Sequence, residues 1–260
     1  MKTLIIDSYY IAWRELKKYF RQKTRLIMTV VQPFIWLVLM GNMMSGLTSN
    51  PYAAQMLGTG NYLTFMTPGI ILMTVLFSSI FSGMSIIWDR RIGYLDKLLA
   101  APIRRGAIPF GKMFSAMVQG GIQVIIIIII ATFLGVKFKT GLAGILVILF
   151  IAMCFALILG GISLAVAVKI KTPETLMAIV NFFMMPLLFT SNALFPLGVM
   201  PGWLKAIAKV NPITYAVEPM RTLAVTGWST SIFTGIGIIL VIDVLVLLWT
   251  QWVFKRAVSE

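Results

Sequence analysis

DRRIGYLDKLLAAPIRRGAIPFGKMFSAMVQGGIQVIIIIIIATFL, residues 89 to 134, passes from one extreme of composition to the other. Its first 24 residues hold Asp89, Arg90, Arg91, Asp96, Lys97, Arg104, Arg105 and Lys112, whereas the 22 from Met113 to Leu134 hold no charge. As a helix, that uncharged run would rise about 33 Å at 1.5 Å per residue, enough to cross a hydrocarbon core about 30 Å thick. A barrel strand would alternate apolar and polar residues, and Val124 to Ile130 does not. Comparable apolar runs lie at about 26 to 44, 62 to 87, 142 to 168, 175 to 193 and 231 to 253. Hydrophobic residues make up 59% of the chain and mean hydropathy is +0.95, against roughly 45–50% apolar residues in soluble domains. The expected fold is all-α, integral to the membrane, with six transmembrane helices in one domain spanning 1 to 260.

The net charge of +14 has an uneven distribution. With the N-terminus inside, seventeen Lys and Arg fall in internal segments, seven of them before residue 26 and six between Arg90 and Lys112; five fall outside, at Lys137, Lys139, Lys205, Lys209 and Arg221. Basic residues concentrate on the cytoplasmic side of membrane proteins, so both termini are expected there, in the cell inner membrane. The charge is then topological and lipid-facing, with no nucleic acid partner implied. Residues 1 to 25 are charged throughout and lack the apolar core of a cleavable signal, so the first span is expected to act as its own insertion signal.

Ile5, Tyr9, Trp13, Leu16 and Phe20 recur at helical spacing, which predicts an amphipathic interfacial helix, either a cationic anchor or a contact for a partner. Pro33 is expected to bend the first span or mark its start. Ser79 with Gly83, and Ala152, Ala156 and Gly160, form small-residue stripes suited to close helix packing or to lining a substrate path. Between the second and third runs, Ile92, Leu95, Leu98 and Leu99 form an apolar stripe among charges until Pro102 stops the helix, a pattern that fits docking on another protein.

Chemistry on this chain has few candidates. Gly106 to Met113 matches G-x-x-x-x-G-K, but Met113 stands where a phosphate-binding loop needs Ser or Thr, and Pro109 removes a backbone donor. No histidine is present, and Cys154 is the one cysteine, so His-based catalysis and thiolate clusters are excluded; no metal site is expected. Of eight carboxylates only Asp243 lies deep in a span. Either it is a neutral group hydrogen-bonded to Gln119, Gln123 or Asn181, or it is the ion site of a gradient-driven carrier.

FPLGVMPGWLKAIAKVNPITYAVEPMR, residues 195 to 221, is too apolar for a loop and too interrupted for a span. Pro201 and Gly202 open a short helix; Asn211 is a candidate N-cap with Pro212 at the first helical position. Two short helices dipping into the outer leaflet are expected, in an external re-entrant segment from 194 to 230. The tract resembles the signature of type-2 permeases of ATP-binding-cassette exporters, of the daunorubicin-resistance and nodulation-factor kind. The segment from Arg91 to Arg104, with Gly93, Leu95, Leu98, Leu99 and Pro102, is similar to that family's loop between its second and third spans.

The resemblance implies a transport subunit without its own ATPase site, paired with a second permease chain, most simply as a homodimer, and with two cytoplasmic ATPase subunits that hold ATP and magnesium. It implies that Asp89, Arg90, Arg91, Gly93, Leu95, Asp96, Lys97, Leu98, Leu99 and Pro102 couple to the ATPase. It also implies an external gate built from Phe195, Pro196, Pro201, Trp203, Asn211, Pro212, Tyr215, Glu218 and Arg221. Pro219 departs from the pattern and is expected to break the second gate helix, leaving the role of Arg221 open. The substrate would be amphipathic, a drug, lipid or glycan, exported from the cytoplasm or inner leaflet past Trp36, Phe65, Phe77, Phe182, Met184 or Met185. A secondary carrier using Asp243 and a non-transporting assembly subunit are the alternatives.

Overall fold

A computed structural model describes residues 2–48, 59 and 61–259. The described residues form α-helices, one 3-10 turn and loops, with no strand among them. α1 (Lys2–Arg21) breaks at Gln22 and α2 (Lys23–Thr48) follows at once; Pro33 lies ten residues inside α2 and so does not mark its start. α3 (Tyr62–Arg91) opens on Asn61, whose side chain accepts from Leu63 N at 2.9 Å and so satisfies one of the orphan donors of a helix end. Gly93, at φ +67°, turns the chain into the short α4 (Tyr94–Ala100). α5 (Ala107–Phe133) and α6 (Gly141–Ala167) are long and apolar. α7 (Pro173–Phe189), α8 (Gly202–Val210), α9 (Pro212–Val225) and α10 (Thr230–Ser259) complete the chain.

Five helices, α2, α3, α5, α6 and α10, are long and apolar enough to cross a membrane, which makes this a multi-pass membrane protein. The sixth expected span is shorter than its apolar run. α7 has 17 residues, about 26 Å of rise, and ends at Phe189, after which the polar Thr190, Ser191 and Asn192 follow. Burial sorts the long helices into centre and rim: 56% of the most apolar window of α3 is buried, against 28% for α10 and 17% for α2. α3 and α6 form the middle, α5 packs on α6, α1 lies against α5, and α9 wedges among α3, α6 and α10.

Small residues set these contacts. A Cβ on Gly83 would meet the carbonyl and hydroxyl of Ser163, and Ser163 Oγ donates to Ile80 O at 3.1 Å. On the α5–α6 seam a Cβ on Gly120 would stand 2.7 Å from Ala156, and one on Gly160 would stand 2.9 Å from Ala116. Apolar association gains nothing from water inside a bilayer, so backbone proximity and dispersion hold the seam. The small-residue stripes are therefore packing seams, with Gly83, Ala156 and Gly160 each against a neighbouring helix.

Candidate functional site

At the end of the bundle where α3 stops, five charged side chains from three helices converge. Asp89, with no exposed surface, accepts from Arg14 Nη2 at 2.8 Å and Nη1 at 3.2 Å, from Lys18 Nζ at 2.9 Å and from Lys112 Nζ at 2.6 Å. Glu15 accepts from Lys112 Nζ and from Arg14 Nη1, both at 3.0 Å, and Ser85 Oγ accepts from Lys112 at 2.8 Å. Two carboxylates face three cations, and every partner comes from α1, α3 or α5. Burial lowers the Arg14 pKa, but the hydrogen bonds and charge of Asp89 outweigh it and hold the guanidinium above its ordinary value. Arg14 also stacks 3.5 Å over the Tyr94 ring, which ties α1 to the start of α4.

The stripe on α4 faces inward. Leu95 is buried in the core and Leu98 and Leu99 pack against it, so these apolar residues are occupied within the chain. Arg91, Ile92, Asp96, Lys97 and Pro102 remain exposed, with Arg104 and Arg105 beyond them. Arg90 donates through Nη2 to Val168 O at 2.6 Å and through Nη1 to Ile170 O at 3.4 Å, closing the C-terminal end of α6. Gly106 to Lys112 is helix start and helix, and the Lys112 amine is committed to Asp89, Glu15 and Ser85.

The opposite end is closed by the tract from 195 to 221. Asn211 caps α9, accepting from Ile213 N at 2.9 Å, while its Nδ2 donates to Leu187 O at 2.6 Å and Thr190 Oγ1 at 3.0 Å. Pro212 is at the first helical position, as expected. α9 continues through Pro219 without a break, which corrects the expectation drawn from that proline. Gly235 explains the tolerance: a Cβ there would collide with the Pro219 ring and stand 3.2 Å from Tyr215 O, the carbonyl whose donor Pro219 lacks. Arg221 thereby keeps its place. It donates through Nε to Phe65 O at 3.1 Å, through Nη1 to Asn192 O at 2.8 Å and through Nη2 to Ala193 O at 3.0 Å, stacked 3.9 Å over the Phe65 ring. Tyr215 donates its hydroxyl to Lys209 O at 2.7 Å. Phe195, Pro201, Trp203 and Glu218 are exposed and Pro196 is half-buried.

The stretch that carries both the charged corner and the capped helix pair matches the sequence of a known family. The ABC-2 type transporter family matches residues 8–225. The chain belongs to that family. It is 36% identical over 219 residues to "Putative transport permease ycf38" of Cyanophora paradoxa, covering 82% of this chain and 73% of the relative. It is 24% identical over 231 residues to the daunorubicin resistance ABC transporter permease protein DrrB1 of Streptomyces coeruleorubidus, covering 89% and 78%. To the probable doxorubicin resistance ABC transporter permease protein DrrC of Mycobacterium tuberculosis (strain H37Rv) it is 24% identical over 220 residues, covering 82% and 75%.

Within this ABC-2 type permease, several expected pairings are replaced by others. Asp243 is buried, and its Oδ1 has no hydrogen-bond partner among the described residues, Gln119, Gln123 and Asn181 included. Gln119 instead accepts from Arg25 Nη2 at 3.1 Å and donates to Ser115 Oγ at 2.9 Å, and Asn181 is exposed. The substrate-path candidates do not share a surface. Phe65 lies under Arg221, Met184 is buried, Trp36 is half-buried, Phe182 and Met185 are exposed, and Phe77 alone among them lines a sizeable cavity. Arg14, Glu15, Lys18 and Lys112 had no assigned role from sequence. Their signal was the presence of Asp89 and Glu15 inside strongly basic segments, where a buried carboxylate requires a cation.

Proposed function

We propose that this permease is the membrane subunit of an ATP-driven exporter, in which two copies form the path and two separate ATPase subunits bind the face carrying α4. In this reading α7 completes six spans, the termini and α4 are cytoplasmic in the inner membrane, and α8 and α9 are the external re-entrant gate. The observation that carries it is the ionic joint around Asp89, which fastens α1, α3 and α5 to the corner bearing α4. A push on a short surface helix moves the bundle only if that corner is rigidly attached to it. The surface left for the ATPase is charged: Arg91, Asp96 and Lys97, with Ile92 beside them. Coupling requires the ATPase to contact this face with different free energy in the inward and outward arrangements. The substrate class, an amphipathic drug, lipid or glycan, is supported by the names of the resistance permeases among the relatives.

The test is reconstitution in vesicles with an ATP-binding-cassette ATPase that copurifies with the permease, comparing wild type with Arg91→Ala/Asp96→Ala/Lys97→Ala. The triple variant is expected to lose ATPase association or to hydrolyse ATP without export. Unchanged association and unchanged export would remove α4 from the coupling role. Asp243→Asn in the same vesicles should export at the wild-type rate at every pH tested, because a transporter driven by ATP hydrolysis does not need a protonatable group there; a lost or pH-shifted rate would favour the gradient-driven carrier.

A further inference from the structure

Beside the ionic joint, two adjoining cavities of about 420 and 750 Å³ share Gln22, Arg25, Ser78 and Phe81 as walls. Each is within the size range of small-molecule sites. Arg25 is the informative residue. Its guanidinium lies 4.2 Å from the Phe81 ring centroid and 5.1 Å from that of Tyr19, and Nη2 donates to Gln119 Oε1 at 3.1 Å. Among the described residues no carboxylate lies within 4.0 Å of it and its one hydrogen bond is to Gln119, so most of the five N–H donors of this cavity-lining side chain have no partner there.

Unsatisfied polar atoms gather at the same place. Tyr19 Oη, Ser82 Oγ and Gln123 Oε1 are buried without a hydrogen-bond partner among the described residues, and all three residues line these cavities. Tyr19 and Gln123 have only 1% and 2% of their surface exposed. Buried polar groups are normally paired, because leaving one bare costs its full desolvation. The Arg25 guanidinium on this wall, with the Tyr19 and Ser82 hydroxyls on lining residues beside it, suits an anion, while Gln123 Oε1, an acceptor, suits a donor on the same ligand. Glu15 on the wall does not supply the anion, being already held by Lys112, Arg14 and Lys18. The larger cavity is bounded by α2, the least buried long helix, where Met28 is 57% exposed. An alkyl chain could leave the cavity there beside Met28 and Phe77.

We propose that these cavities bind the anionic head group of an amphiphile, its phosphate or carboxylate held by Arg25, Tyr19 and Ser82 and its apolar tail lying against Phe77 and Met28. The proposal deepens the export reading by adding a charge to the substrate class, and rests on that reading for the head group's being cargo. Binding itself is measured on the permease without an ATPase, so failure of ATPase association leaves the site standing and failure of binding leaves the exporter standing.

Delipidated full-length permease in a neutral detergent is titrated with short-chain phosphatidylglycerol or phosphatidylcholine and followed by calorimetry. Phosphatidylglycerol is expected to bind about tenfold more tightly, or about 1.4 kcal/mol, and Arg25→Gln to bring it to the phosphatidylcholine value. Tyr19→Phe/Ser82→Ala removes two hydroxyls that have no partner among the described residues, so its thermal unfolding midpoint should not fall while phosphatidylglycerol binding weakens several-fold. If Arg25→Gln fails to fold, this second variant decides. Competition by inorganic phosphate separates the sources: displacement means that a free phosphate suffices, and no displacement means that head group and tail are required together. Equal binding of the two lipids by wild type, or unchanged binding by the double variant, overturns the proposal.

Discussion

Replacing Asp89 by Asn keeps the shape of the side chain and removes its charge. The outer pairs contribute modestly, since the Lys18 side chain is 40% exposed and Arg14 is 24% exposed, where water screens the interaction. The pair that matters is Lys112 with Asp89, 1% and 0% exposed and 2.6 Å apart. After Asp89→Asn, Lys112 remains buried with Glu15 as its charged partner at 3.0 Å, and Glu15 is shared with Arg14 and Lys18. Breaking a buried pair from one side costs about 3–5 kcal/mol, and the remaining Glu15 contact argues for the lower end, about 3 kcal/mol. That cost falls on the docking of α1, whose link to α3 runs through these charges. Trypsin reports it, because α1 and the start of α2 are rich in Lys and Arg. If opening is fast relative to cleavage, about 3 kcal/mol raises the cleavage rate before residue 26 by about a hundredfold. Asp89→Asn/Lys112→Met, which removes both members, should recover much of the loss, and the cycle should give a coupling of about 2 kcal/mol or more. Wild-type cleavage in Asp89→Asn, or additive single effects, would refute the idea that this pair holds the corner.

Two further substitutions separate other contacts from their surroundings. Arg221→Lys keeps the charge but cannot reach three carbonyls and a ring face together; a loss of about 2–3 kcal/mol is expected in denaturant unfolding, and a variant within about 0.5 kcal/mol of wild type would contradict it. Gly83→Ala should cost about 1–3 kcal/mol by pushing α3 off α6, whereas Gly237→Ala, with nothing within 4 Å of its Cβ, should be neutral or stabilising by up to about 1 kcal/mol. Equal effects in thermal unfolding would deny the close approach at Gly83.

Five of the six expected spans were readable as long apolar helices because the bilayer imposes a local rule: each run must satisfy its own backbone and be long enough, and both show in consecutive residues. Asn211 and Pro212 were readable for a similar reason, since a cap acts within three residues. The interior of the site was not. Asp89 finds its partners 75, 71 and 23 residues away, and Arg221 finds its three carbonyls 156, 29 and 28 residues away. Charge in a basic segment announces a need for a partner without naming one. The α4 stripe shows the same limit: Leu95, Leu98 and Leu99 reveal that a face is buried, and the pattern is identical whether another protein or the chain's own core buries it. Pro219 was misread because its tolerance is decided by Gly235 on a different helix.

The ionic joint and the cavities share a wall, and that sharing has a mechanical consequence. Glu15, Lys18 and Lys112 line the smaller cavity and also belong to the cluster around Asp89, while Tyr19, one helical turn beyond Glu15, supplies both a buried hydroxyl and a ring near Arg25. α1 therefore contributes to the cavity and to the fastening of α4 through adjacent residues of one rigid helix, with Arg14 on Tyr94 completing the link. A displacement of α1 that lengthened the Arg14 and Lys18 contacts to Asp89 would also open the wall formed by Tyr19. Buried ion pairs add little net stability over apolar packing, because desolvation offsets most of their attraction, but they penalise partial displacement strongly. A displacement that separated these charges without hydrating them would leave them buried and uncompensated, so the docked joint resists partial opening. That is the property a helix needs if contact at the α4 face and occupancy of the cavity are to bias the same equilibrium.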